Sequence, residues 1–261
     1  MSQTYTSSKP VKGFKGEPLT VPASNGTKTV FNRRQGFDCI TVDPAADMRL
    51  GLVPRIAGLW SRTGAGVWTN LLDQKDVNGL RVIDRGASAP VRAAFASTTK
   101  VYVGWVRKIN DIYLDINGVN ATASTLTLAN SSSAGFVSLA VTADGSDSGG
   151  ATFAIDGNIT FTPPSTWTAQ SLKEQLNDPN APDAKLFWLE LSFSASLDAG
   201  TTIDQLMGFI ETDGAGTNTG DTAFLGAGAV RQIPLSEEVG AIQPIAQAAS
   251  ATTCNVDWER L

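Results

Sequence analysis

Val101-Tyr102-Val103-Gly104-Trp105 opens, and Leu186-Phe187-Trp188-Leu189-Glu190-Leu191-Ser192-Phe193 nearly closes, a stretch from 101 to 206 of short runs punctuated by Gly, Asn, Asp and Pro. Between them stand Ile112 to Ile116, Ser124 to Leu128, Phe136 to Val141, Ala151 to Ile155 and Asn158 to Thr162. Runs of roughly four to eight residues at such regular spacing predict strands of an all-β sandwich or barrel. In 186–193, Phe187, Leu189, Leu191 and Phe193 share one face of a strand, while Leu186, Trp188, Glu190 and Ser192 share the other. The reading is an all-β fold: a β-sandwich or jelly-roll-like body with an extended N-terminal arm and one short helix.

Working outward, residues 1–34 read as an extended basic arm, with Lys9, Lys12, Lys15, Lys28, Arg33 and Arg34 set among Pro10, Gly13, Gly16, Pro18 and Pro22. Pro and Gly at this density disfavour both a helix and a central strand. Its apolar residues are thinly spaced, so the arm is expected to stay disordered or to become ordered on another subunit. Residues 35–66 read as linking strands and a loop, with a strand over Phe37–Val42 and an irregular, Pro54- and Gly58-interrupted run from Met48 to Trp60. Residues 67–208 form the sandwich domain, including strands at Leu80–Asp84 and Val91–Phe95. The helix is expected at Ser165–Leu176, capped by Ser165 or Thr166, with Trp167, Leu172 and Leu176 on its apolar face. Residues 201–206 are ambiguous between helix and strand. Residues 209–261 begin with a flexible loop, pass a strand at Ala229–Leu235 and a weakly helical Glu237–Ala251, and end in a strand from Cys254 that returns to the N-terminal region.

The chain has 261 residues, 42% hydrophobic, and no apolar run near the roughly 20 residues that cross a bilayer. Its first residues lack the apolar core of a signal peptide, which predicts a cytoplasmic site of synthesis and use or assembly. Cys39 and Cys254 are then expected as free thiols. Both sit in strand-like settings, and the two segments are candidates to pair. Residues 1–108 hold 16 Lys and Arg against 7 Asp and Glu, whereas residues 109–261 hold 4 against 18. Folded apart, these halves make a dipole that favours ordered docking on an acidic partner or the next copy; interleaved, they cancel.

Histidine is absent, which removes the commonest general base and zinc ligand. Paired carboxylates are the remaining catalytic option, with Asp111, Asp115 and Glu190 as candidates. Strand alternation explains Glu190 without catalysis, so no enzymatic activity, cofactor or metal is expected. Asp144–Gly150 has the composition of a calcium loop without its spacing and reads as a hairpin loop. Six tryptophans raise a carbohydrate platform, but most are embedded in apolar runs and read as core; Trp167 and Trp258 are the exceptions. The arm's basic residues are neither clustered on a helix nor interleaved with aromatics, so nucleic acid is not the expected partner.

The order of signals from about Trp68 to Leu206 resembles a β-sandwich domain of structural proteins in tailed bacteriophages. The matching pieces are Trp68-Thr69-Asn70-Leu71, Asp84-Arg85-Gly86, Val101-Tyr102-Val103-Gly104-Trp105, Ile112-Tyr113-Leu114-Asp115-Ile116 and Val119-Asn120-Ala121-Thr122-Ala123-Ser124-Thr125-Leu126. They continue through Gly157-Asn158-Ile159-Thr160-Phe161-Thr162-Pro163-Pro164-Ser165-Thr166-Trp167 and Leu186–Leu191 to Ser194–Thr202. Where that family often has a Tyr-Trp-x-Gly-x-x-Trp hairpin, this chain has Ala129–Phe136, so no ligand contact of that hairpin is carried over. The resemblance implies a virion component, with three placements in order of expectation. The first is a capsid decoration (cement) protein, whose arm residues Lys9, Lys12, Phe14, Lys15, Lys28, Arg33 and Arg34 contact the major capsid protein and neighbouring copies. The second is a tail, baseplate, adaptor or fibre-base component; the third is a glycan-binding virion module.

Overall fold

The computed structural model describes residues 11–12, 18–21, 31–32, 39–72, 91–92, 95–209, 222–225, 227–228, 231–234, 239–246 and 252–260. The chain divides into two compact units, one of residues 54–210 and one that the flanking segments 1–53 and 211–261 build together. The leading segment contributes β1 (Val11–Lys12), β2 (Pro18–Val21), β3 (Phe31–Asn32), β4 (Cys39–Pro44) and β5 (Met48–Pro54). The inserted unit runs through β6 (Gly58–Arg62), β7 (Trp68–Asn70), β8 (Val91–Arg92), β9 (Lys100–Trp105), β10 (Asp111–Gly118), β11 (Leu126–Ser132), β12 (Gly135–Leu139) and β13 (Val141–Asp144). It continues with β14 (Gly157–Phe161), β15 (Gln170–Ser171), α1 (Leu172–Leu176), β16 (Lys185–Phe193) and β17 (Thr202–Phe209). The trailing segment adds β18 (Thr222–Leu225), β19 (Arg231–Pro234), β20 (Val239–Ala246) and β21 (Thr252–Arg260).

Residues 54–210 form a β-sandwich. Its larger sheet has the order β12-β11-β16-β9-β6-β7, with β15 added on β16; its smaller sheet has the order β13-β14-β10-β17-β8. The inward residues of both sheets meet in one core: Val101, Val103 and Trp105 of β9 and Leu189, Leu191 and Phe193 of β16 against Ile112, Leu114 and Ile116 of β10 and Ile159 and Phe161 of β14. Ile203 and Leu206 of β17 are three apart yet both enter that core. Register shifts between Asp115 and Gly118 opposite them reset the alternation. Strand β9 is buried at every position after Lys100, because its second face is also covered. This is why Val101–Trp105 reads as a continuous apolar run.

The described parts of the arm are extended, and they pair within this chain. Strands β1 and β2 both run antiparallel to β21 on one side, and β4 pairs with β21 on the other. Strand β3 pairs with β20, which shares a sheet with β5 and β18. Cys39 and Cys254 lie on neighbouring strands but out of register, facing Glu259 and Pro44; both are buried free thiols.

Several local expectations are corrected. The helix is confined to Leu172–Leu176, with Ser171 as its cap, accepting from Glu174 N. Residues 165–169 do not join it because Thr168 N donates to Ser131 O and the indole of Trp167 is held edge-on between Phe161 and Phe187. Ala151–Ile155 is a turn rather than a strand, with Phe153 at φ 61°. Ser146 holds it there, its Oγ accepting from Phe153 N and its carbonyl from Ala154 N. Met48–Trp60 is not irregular but divides into β5 and the start of β6, and Val239–Ala246 is the strand β20 despite its Ala and Gln content. The ambiguous 201–206 belongs to β17. The strand expected at Leu80–Asp84 lies outside the described residues.

Candidate functional site: the outer face of the larger sheet

The outer face of the larger sheet carries a second cluster, independent of the sandwich core: Tyr102, Leu172, Ala181, Leu186 and Trp188, with Trp60, Trp68, Phe136 and Leu176 packed around it. It arises from the residues of β6, β9 and β16 that alternate away from the core. Gly58, Gly104 and Trp188 stand in one cross-strand row, and the Trp188 ring lies across the two glycines. A Cβ on Gly104 would sit 2.7 Å from its Cε3 and Cζ3. Trp188 Nε1 donates to Gln170 O at 2.8 Å, which ties the sheet to the segment that carries α1.

The next row is Trp60, Tyr102 and Glu190. The Tyr102 ring packs between Trp68 (centroids 5.3 Å apart) and Phe136 (5.5 Å). Burial first, and the Glu190 carboxylate beside it second, push the Tyr102 hydroxyl far above its ordinary pKa. Lys100 Nζ donates to Glu190 Oε1 at 2.6 Å. At the rim, Arg62 Nε and Trp68 Nε1 both donate to Asp178 Oδ2, at 3.3 and 3.0 Å, and the Arg62 guanidinium lies over the Trp68 ring at 5.7 Å. The Trp68 hydrogen bond foremost, then Asn180 N and Arg62, hold the Asp178 carboxyl below the usual range.

In both ion pairs the acid is inside and the base outside: side-chain exposure is 14% for Asp178 against 33% for Arg62, and 9% for Glu190 against 47% for Lys100. The edge of the cluster therefore carries paired charges of both signs, since the α1 segment adds Glu174 and Asp183, exposed at 60% and 67%, paired with Lys185 and Lys173.

The three acids weighed for catalysis are not brought together. Asp111 and Asp115 alternate with Ile112, Leu114 and Ile116, which enter the core, so they lie on the outward side of the smaller sheet. Glu190 lies on the outward side of the larger one. Asp144 is occupied locally: Oδ1 accepts from Ser146 N and Oγ and Oδ2 from Thr152 Oγ1. Among the described residues, no group of three or more acidic or cysteine side chains is placed to hold a metal ion.

Of the arm residues expected to contact a partner, Lys9, Phe14, Lys15, Lys28, Arg33 and Arg34 lie outside the described residues, and Lys12 stands on β1 opposite Glu259. Trp167 is not a glycan platform: it is fully buried. The side chain of Trp258 lies outside the described residues. What sequence reasoning missed is the cluster of Trp60, Trp68, Tyr102 and Phe136. The signal was present as a second apolar series, Leu186 and Trp188 beside Gly104 and Gly58, on the face opposite Phe187, Leu189, Leu191 and Phe193.

No protein-family model matches the chain. No match to it was found among curated proteins.

Proposed function

We propose that this chain is a structural subunit of a tailed-phage virion, and most concretely a decoration protein that fastens onto the acidic outside of a capsid lattice. The observation that supports this best is the placement of the basic arm. Strand β1, with Lys12 and flanked in sequence by Lys9 and Lys15, stands at the end of its sheet's strand order. An edge strand offers main-chain groups to a partner, and the lysines in it and beside it in sequence suit an acidic one. The inserted sandwich is then the second unit that each copy brings to the particle.

The docking force lies in such local patches rather than in a dipole between halves. The flanking unit holds 9 Lys and Arg against 11 Asp and Glu, and the inserted unit 11 against 14. The strong asymmetry along the sequence is thus nearly balanced within each unit, because the leading and trailing segments fold together. This removes the dipole as a driver both of docking on an acidic partner and of head-to-tail stacking.

Deleting the arm would strip β1 and β2 from β21 and confound the test. Charge reversal in the full chain is cleaner: Lys9→Glu, Lys12→Glu and Lys15→Glu combined, assayed by co-sedimentation with undecorated shells and separately with tails. The expected result is saturable, salt-sensitive binding to shells that the triple variant loses while keeping the parent's unfolding midpoint. Binding to tails alone moves the protein to the tail, and equal binding by parent and variant removes the basic-edge mechanism.

A further inference from the structure

Four strands bound the sandwich sheets: β12 and β7 in the larger, β13 and β8 in the smaller. Exposed edges invite pairing, and proteins commonly blunt them with charge or by keeping them short. Strand β13 carries Asp144, β8 carries Arg92, and β7 has 3 residues. Strand β12, Gly135-Phe136-Val137-Ser138-Leu139, has 5 residues and neither device. It lies in a charge-free run that extends from Ile116 to Ala143. Val137 on it is 43% exposed.

The backbone of this edge is presented outward. Ser131 pairs with Phe136 across the hairpin, yet the Ser131 carbonyl accepts from Thr168 N on the other side of β11. Ser131 and Phe136 are therefore a non-hydrogen-bonded pair, and the N–H and C=O of Phe136, and of Ser138 two residues on, point away from β11. No backbone hydrogen bond among the described residues takes them.

We propose that β12 is a self-association edge, pairing antiparallel with β12 of a second copy about a two-fold axis centred on Val137. This deepens the structural-subunit reading and rests on it for the presence of neighbouring copies, while the pairing itself also forms between free copies at raised concentration. The occupant follows from charge. A two-fold pair sets every residue against its own counterpart or near it, so any charged residue on the strand would face its like and repel. A wholly neutral edge suits its own copy. The register is also self-consistent: Phe136 of one copy faces Ser138 of the other in hydrogen-bonded pairs, and the two Val137 residues form the close, non-hydrogen-bonded pair between them.

The test uses the pure full-length protein. Val137→Cys is oxidised mildly beside Val67→Cys, a control at a residue 59% exposed outside any strand; the native cysteines are buried. A non-hydrogen-bonded antiparallel pair has Cα atoms close enough for a disulfide. Val137→Cys is expected to give several-fold more covalent dimer than Val67→Cys, and Val137→Lys to abolish concentration-dependent dimerisation in sedimentation without shifting the unfolding midpoint. Equal cross-linking of the two cysteine variants, or dimerisation that survives Val137→Lys, overturns the proposal. Because no shell is present, failure here with shell binding intact removes only the pairing, while the converse removes only the capsid reading.

Discussion

Trp188 and Gly104 are cross-strand partners on β16 and β9, and the indole occupies the space that any other residue at 104 would need for its side chain. Gly104→Ala is therefore expected to force the ring, held at Nε1 by Gln170, out of its seat. The cost is about 1–3 kcal/mol, the range for overpacking a filled site. Gly200→Ala, where nothing lies within 4 Å of the added Cβ, is the matched control. Urea unfolding of the two variants should separate them, with the Gly104 midpoint falling and the Gly200 midpoint close to the parent's.

Lys100→Met leaves the buried Glu190 carboxylate without its cation beside the Tyr102 hydroxyl. Since Lys100 is half exposed, water screens part of the loss, and about 1–2 kcal/mol of destabilisation is expected. Glu190→Gln should cost less, and adding it to Lys100→Met should recover stability. A double-mutant cycle by urea titration reads this directly, and strict additivity would show that the pair contributes nothing.

Acid should loosen the rim before it unfolds the sandwich. The folded Asp178 carboxyl is held below its ordinary 3.8, so its stabilisation is complete above that value and is lost as pH falls through the lower, folded one. The expected signal is a change in tryptophan emission, from Trp68, below about pH 4. Asp178→Asn should flatten it. Asp183 and Asp198, lowered chiefly by Ser171 and Thr122, continue to titrate in that variant and supply the background.

Both thiols should be silent in the native protein. Burial alone pushes Cys254 up to about 11, so at pH 8 only about one thousandth of it is thiolate. A thiol reagent at pH 8 should find almost no reaction until denaturant is added, and then two equivalents. Rapid labelling of the folded chain would contradict the burial of Cys39 and Cys254.

How far the sequence spoke depends on whether a residue's partner was local. The strand pattern of 186–193 was fully readable, because alternation is set by neighbours two residues away. Trp167 was misread: its place between the Ser165–Thr166 cap signal and the Leu172–Leu176 pair is a local sign of helix, but Phe161 and Phe187 claim the ring from two different strands. Phe153 escaped notice for a similar reason, since the hydrogen bonds that hold its left-handed backbone come from Ser146 across a turn. The outer aromatic cluster was hidden because Gly58, Gly104 and Trp188 belong to strands far apart in the chain, and only their register shows that two absent side chains make room for one large ring.

The split construction of the flanking unit also imposes an order of birth. Cys39 on β4 meets Glu259 on β21, about 220 residues later in synthesis, whereas every strand of the sandwich is made between β6 and β17. Contacts that span so much chain close late. The sandwich is thus expected to be complete while β1, β2 and β4 still wait for the strand they share, and ribosome-bound chains stopped far enough beyond Phe209 for β17 to have left the exit tunnel should already resist protease across residues 54–210. The β1 edge would become a finished surface only after translation has passed residues 54–210, so the two units mature one after the other.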